Sequence, residues 1–113
     1  MLLTIDVGNT NTVLGVFDGA QLLVHWRLTT RREQTADEYG ILVRNLFASS
    51  ALAPSGIEAV ALASVVPPLT PVLLALARQY LGHEPLVVAR ARHDDRVAVE
   101  DVADPLGGEP LAE

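Results

Sequence analysis

The sequence contains no cysteine and no lysine. The first absence excludes disulfides, thiolate metal sites and cysteine nucleophiles. The second excludes a catalytic lysine, including the phosphate-binding lysine of a Walker-type loop, whose G-x-x-x-x-G-K-[ST] spacing is missing as well. All 8 basic residues are arginines, and the formal net charge is −6. An acidic balance of that size argues against a nucleic-acid footprint, which needs a basic face. No apolar run approaches the roughly 18 residues of a membrane span, and the N-terminus lacks a charged segment followed by an apolar one. The sequence therefore reads as a soluble, cytoplasmic protein with neither nucleic acid nor membrane as partner. With 113 residues, 50% of them hydrophobic, it is long enough for one domain around one core and too apolar to be disordered throughout.

The most informative segment is Asp6-Val7-Gly8-Asn9-Thr10-Asn11-Thr12-Val13-Leu14. An apolar run containing Leu2, Leu3 and Ile5 ends in an acid. A Gly-Asn-Thr-Asn turn follows, then a second apolar run with Val13, Leu14, Val16 and Phe17. The pattern predicts a β-hairpin, with Gly8 and Asn9 expected to take positive φ in its turn. Backbone N–H groups of such a turn can cradle a phosphate. Asp6, at the strand exit, can hold Mg²⁺, which keeps much of its hydration shell and so needs few protein ligands. An ordinary hairpin with Asx hydrogen bonding is the plain alternative. The acid and hydroxyls gathered between two matched strands favour phosphate binding.

Three strands are expected first: Leu2–Val7, Thr12–Phe17 and Gln21–Leu28, the last two joined at Asp18-Gly19-Ala20. His25 reads as a solvated strand residue. Thr29–Gln34 is a polar loop in which Arg31 and Arg32 could reach a phosphate, although a solvated loop is the reading taken for them. Thr35 and Glu38 have the capping-box spacing, and the helix they open runs to about Ser49 with Tyr39, Leu42, Val43, Leu46 and Phe47 on its apolar face. Ile57–Val66 suits a strand buried on both faces, and Ser64 near its end is expected to be a satisfied core-edge hydroxyl. Thr70 is the expected N-cap and Pro71 the first residue of a helix covering Val72 to about Leu81. That helix is apolar almost all round, so it needs cover on a second side from another domain or another copy of the chain. Gly82 ends it, and Pro85–Val88 is a last short strand. Beyond residue 88 the chain becomes charged and then acidic, without helix or strand period. His93, Asp94 and Asp95 read there as a solvated charge run.

Three hairpin-connected strands followed by helix, strand, helix and strand fit an α/β fold: the first half of a ribonuclease H-like domain of the actin, hexokinase and Hsp70 class, on one mixed sheet. Asp6-Val7-Gly8-Asn9-Thr10-Asn11-Thr12, Thr35-Ala36-Asp37-Glu38-Tyr39 and Ala63-Ser64-Val65-Val66-Pro67-Pro68-Leu69-Thr70 resemble, in order and spacing, the N-terminal part of type III pantothenate kinases. The resemblance covers residues 1–88 and makes them an ATP-phosphate-binding domain. It implies ATP binding by Asp6, Val7, Gly8, Asn9, Thr10, Asn11, Thr12 and Val13, with Asp6 as the Mg²⁺ residue. The implied reaction moves the γ-phosphoryl group of ATP to the 4′-hydroxyl of pantothenate, the first step of coenzyme A biosynthesis. A monovalent cation, K⁺ or NH₄⁺, is also implied, its site lying in a second domain that the sequence lacks; a homo-oligomer is expected from the apolar helix over Val72–Leu81 and not from the resemblance.

The resemblance weakens after Val88. Such kinases continue with Gly-Pro-Gly, then Tyr-Asp-Asn-Pro, then a Gly-Ala-Asp-Arg motif carrying the catalytic base and binding pantothenate. Here Ala89-Arg90-Ala91 follows, and Gly107-Gly108-Glu109-Pro110 falls where the last motif would be. Ala-Arg-Ala is what GC-rich Gly-Pro-Gly codons give when read one base later, so residues 89–113 are read as a divergent or frameshifted tail. No residue is assigned as catalytic. Two functions follow: a kinase by descent that is inactive by itself, or a non-catalytic nucleotide-binding or regulatory fragment of the same family.

Overall fold

The computed structural model describes residues 1–88. The strands are β1 (Leu2–Val7), β2 (Asn11–Asp18), β3 (Gln21–Thr29), β4 (Ala59–Ser64) and β5 (Leu86–Val87); the helices are α1 (Ala36–Ala48) and α2 (Thr70–Leu76). They form one mixed sheet in the order β3-β2-β1-β4-β5. β1–β2 and β2–β3 are antiparallel, whereas β1–β4 and β4–β5 are parallel. This is the α/β arrangement the element order predicts.

Alternation along β1 divides its side chains between two faces. Leu3, Ile5 and Val7 are wholly buried in the main core with Leu14, Val16, Val60 and Leu62 of neighbouring strands, and with Tyr39, Val43, Phe47, Leu73 and Leu76 of the helices. Leu2, Thr4 and Asp6 take the opposite face, where Val13 and Phe17 pack with Leu2 and Leu22. Burial of each such aliphatic side chain contributes about 1.5–3 kcal/mol.

The capping box at Thr35 and Glu38 is formed in both directions, 3.1 Å from the Glu38 amide to Thr35 Oγ1 and 2.8 Å from the Thr35 amide to Glu38 Oε1. The second helix differs from expectation. Pro67–Leu69 form a 3₁₀ turn that runs straight into α2, so Thr70 is already helical, at φ −54° and ψ −52°, and caps nothing. After Leu76 the helix widens into a π turn over Ala77–Leu81 and stops at Gly82, whose φ of 73° is left-handed. The strand expected over 57–66 is shorter, Ala59–Ser64. Ile57 belongs to the turn after Pro54–Gly56, and Ser64 Oγ accepts from the Val66 amide at 3.1 Å, which bends the chain out of the sheet.

The second side of α2 is covered within the domain, by α1. Val72, Leu74 and Leu81 are half-buried against the core, so the expected need for an outside partner on this helix is not borne out. Gly40 is what allows the two helices so close. A Cβ there would meet three carbons of the Tyr80 ring at 2.9 Å. The Tyr80 hydroxyl hydrogen-bonds the Asp37 carboxylate, and the Arg44 guanidinium lies 5.4 Å from the ring centre. Tyr80 is thereby held flat along the Asp37–Gly40–Arg44 side of α1. Gly40→Ala gains helix propensity of about 1 kcal/mol but displaces this ring. Overpacking costs about 1–3 kcal/mol, so net destabilisation is expected in urea unfolding. A variant at least as stable as the parent would show that the ring moves aside freely.

Candidate nucleotide-phosphate site

The β1–β2 connection sits at the end of the sheet where parallel β1 and β4 both finish, the position at which open α/β sheets collect ligands. The strands pair as far as Val7↔Thr12, and the Gly8 amide then donates to the Asn11 carbonyl at 2.9 Å. Asn9 and Thr10 are exposed at the tip. The expectation of positive φ at Gly8 and Asn9 is not met: among the described residues only Gly19 and Gly82 have it. The turn is held from outside instead. The Thr30 amide donates to the Thr10 carbonyl at 2.8 Å, and Thr30 Oγ1 donates to the Gly8 carbonyl at 2.7 Å.

Because that hydroxyl proton is committed to Gly8, Thr12 must be the donor in the 2.9 Å Thr12–Thr30 hydroxyl pair. Thr12 is 1% exposed; its hydroxyl proton fixes the loop, leaving acceptor capacity rather than a donor. Thr30 had no mark in the sequence beyond lying in a polar loop. Its role comes from the β2–β3 register, in which Asn11 faces Thr29 and Thr30 follows directly beside the turn.

The same network extends to α1. The Tyr39 hydroxyl donates to the Arg31 carbonyl at 3.3 Å, and the Gln34 amide donates to it at 3.3 Å. Burial pushes the Tyr39 phenol above its ordinary value of 10.0. The neutral form is therefore favoured by folding, and its contribution is lost only as pH rises through that raised value. Across the neutral range Tyr39 stays a donor.

Asp6 is the penultimate residue of β1, beside Val13 on β2 and Ala63 on β4, and it is 1% exposed. It is more enclosed than a strand-exit acid was expected to be. Among the described residues there is no group of three or more acidic, histidine or cysteine side chains that could hold a metal. A single carboxylate fits Mg²⁺ bound chiefly through water and phosphate oxygens, and does not fit an all-protein cage. The tip amides of Asn9 and Thr10 donate to no backbone carbonyl among the described residues, and they lie on the turn that follows that acid. Gly8 and Asn11 close the turn, and Val7 and Val13 are buried strand residues framing it.

Of the other candidates, Ser64 ends β4 opposite Val7, at the same end of the sheet as the turn. His25 is exposed on β3. Ser64 is half-buried and engaged with Val66. His93, Asp94, Asp95 and Glu109 lie outside the described residues.

The family model of type III pantothenate kinases matches residues 2–105. The chain belongs to that family. A type III pantothenate kinase of Anaeromyxobacter sp. (strain K) is 56% identical over 88 residues, and that of Moorella thermoacetica 53% over 88 residues. Each match takes in 78% of this chain but 35% of the relative, so the chain spans about a third of the length of these kinases. Among solved structures, the Porphyromonas gingivalis protein assigned as an N-acetylglucosamine kinase superposes with a TM-score of 0.58 at 21% identity, covering 79% of this chain and 34% of that one. At that identity the likeness bears on the fold alone.

The network around Thr30 has a measurable consequence. Thr30→Val keeps the shape but removes both hydroxyl bonds, leaving the Gly8 carbonyl and the buried Thr12 hydroxyl without their partner. Such a loss costs about 1–3 kcal/mol, and Thr30→Ser should restore most of it. Equal unfolding midpoints for the valine and serine variants would show that the hydroxyl contributes nothing.

Proposed function

We propose that residues 1–88 are the ATP-phosphate-binding part of a type III pantothenate kinase, with the Asp6–Val13 segment as its phosphate turn. The observation that carries this is the juxtaposition of one buried acid, Asp6, with the exposed amides of Asn9 and Thr10 on a turn fixed by Thr12 and Thr30. Magnesium bound with the nucleotide would offset the charge of the phosphates. The chain's own part is geometric. Asp6 orients the metal's water shell, the tip amides of Asn9 and Thr10 donate to phosphate oxygens, and Thr30 keeps the turn from yielding as charge arrives.

Phosphoryl transfer depends mostly on positioning and charge stabilisation, and this turn supplies part of both. Pantothenate is the acceptor in this reading, the setting is cytoplasmic, and the monovalent-cation site belongs to the part of the family fold beyond residue 88. The chain contains no assigned base, which favours a companion role: a nucleotide-binding or regulatory fragment, or one half of an active site completed elsewhere. Self-association is part of the reading. It rests on the sheet edge, where Leu86 and Val87 are 68% and 54% exposed, rather than on α2.

Calorimetric titration of the 113-residue chain with ATP, with and without magnesium, tests the turn. Magnesium-dependent binding is expected, and absence of binding under both conditions would overturn the reading. Light scattering on the same sample reads self-association directly.

A further inference from the structure

We propose that Arg32 is a phosphate-binding residue of this site, a guanidinium held over the tip of the β1–β2 turn to receive the polyphosphate of a nucleoside di- or triphosphate. The inference rests on the phosphate-turn reading above and extends the site to the β3–α1 loop. Arg32 Nη2 donates to Asn9 Oδ1 at 3.0 Å. The side chain is exposed, but the backbone that carries it is anchored on either side. Thr30 is tied to Gly8 and Thr10, and the Arg31 carbonyl receives the Tyr39 hydroxyl and the Gln34 amide. Arg32 is therefore kept beside the turn by buried and half-buried groups and not by its own surface contact alone.

The partner it has is neutral. A guanidinium carries five N–H donors in a planar fork, and the Asn9 amide oxygen engages one nitrogen. Among the described residues the side-chain ion pair of an arginine is that of Arg78, whose Nε and Nη2 each lie 2.7 Å from the Glu84 carboxylate. Arg44 is stacked on Tyr80. Arg31 lines a hollow of about 250 Å³ with Glu33, Gln34 and Glu38. Arg32 alone among these combines contact with the phosphate turn and a charge that no carboxylate of the described residues pairs with.

That charge answers a need. The chain has a formal net charge of −6 and no lysine, and Asp6 adds a negative charge at the turn itself. A polyphosphate approaching the tip amides meets repulsion unless a cation faces it. A guanidinium fork suits the task because it pairs with two phosphate oxygens at once, which an ammonium does not.

The test is calorimetric titration of the 113-residue chain with Mg-ATP and, separately, with magnesium tripolyphosphate, which has no base or ribose. Arg32→Ala should weaken both by roughly tenfold, as expected for loss of a charge-assisted hydrogen-bond pair. Arg32→Lys should recover only part of the loss, and Arg31→Ala, the same charge change one residue away, should have clearly less effect. Circular dichroism and unfolding midpoints should stay unchanged for all three variants.

Equal losses for Arg31→Ala and Arg32→Ala would overturn the inference in favour of a general electrostatic field. A loss for ATP without one for tripolyphosphate would overturn it by placing the contact on the nucleoside. Full affinity in Arg32→Ala, with affinity lost in Asp6→Asn, would overturn the inference and leave the phosphate turn standing. Failure of the parent chain to bind either probe would overturn both together.

Discussion

Asp6→Asn is expected to weaken magnesium-dependent nucleotide binding by about 100-fold while leaving the domain folded. The amide is the same size as the carboxylate, so the packing of Asp6 between Val13 and Ala63 is kept. What is lost is the negative charge that, in the proposed reading, would orient the water shell of bound Mg²⁺. Alanine is the poorer choice because Asp6 is 1% exposed; truncation there adds a packing defect that would mix loss of fold with loss of ligand. Removing an outer-shell partner of a metal commonly costs about 10- to 100-fold in affinity. Removal of the one carboxylate on the turn should fall at the upper end of that range. The measurement is ATP titration at saturating and zero magnesium, with urea unfolding of both proteins as the check on fold. The assignment fails if the asparagine variant binds Mg-ATP as tightly as the parent.

The second large effect is on turnover. Tested by itself, the 113-residue chain is expected to give no measurable phosphorylation of pantothenate. It spans about a third of its relatives' length, at 35%. In the proposed reading its described residues supply a phosphate turn, without a base placed to take the proton of an attacking hydroxyl. Absence of a general base alone commonly lowers rate by about 10²- to 10⁴-fold. Poor orientation of the acceptor adds a further loss, because near-attack geometry is not enforced. The assay is ATP- and pantothenate-dependent product formation beside a full-length family member. Turnover within about tenfold of that control, a gap smaller than loss of a base alone produces, would refute the expectation and make Glu109 the next residue to replace.

Most of the fold could be read from the residues because each element carries its own local signal. The two-residue alternation of β1 and β2, the Thr35–Glu38 capping box and the glycine at position 82 depend on neighbours in sequence, and all were formed as expected. The misreadings came where distant residues decide. Thr70 has the chemistry of a cap, but the preceding Pro67–Leu69 turn had already set a helical backbone. The outer side of α2 looked unpartnered because nothing local announces that Gly40, thirty positions before Thr70 in the chain, opens a bed for Tyr80.

The site divides in the same way. Asp6 and the Gly-Asn-Thr-Asn turn were visible as a cluster of chemistry between two strands. Thr30 was not, and Arg32, which with Arg31 could have reached a phosphate, had nothing to set it apart from its neighbour, because a polar loop has no periodicity to say which of its side chains face a neighbour. Only the β2–β3 register shows that the loop begins beside the phosphate turn.

The strand order also sets a timetable for synthesis. β1 leaves the ribosome first, and its antiparallel partner β2 follows within a short turn, so that hairpin can form early and quickly. Its other neighbour, β4, comes much later: the N-terminal amine meets the Glu58 carboxylate across 57 positions of sequence. Until β4 emerges, the buried face of Leu3, Ile5 and Val7 lacks one of its walls, and non-local pairing of this kind is slow because chain entropy must be overcome before contacts compensate. The nascent chain thus carries an open, apolar strand edge until Ala59–Ser64 have been made. Pauses or chaperone contacts within the codons for residues 30–58 would fall in the interval when the emerging protein is most prone to pair with the wrong neighbour.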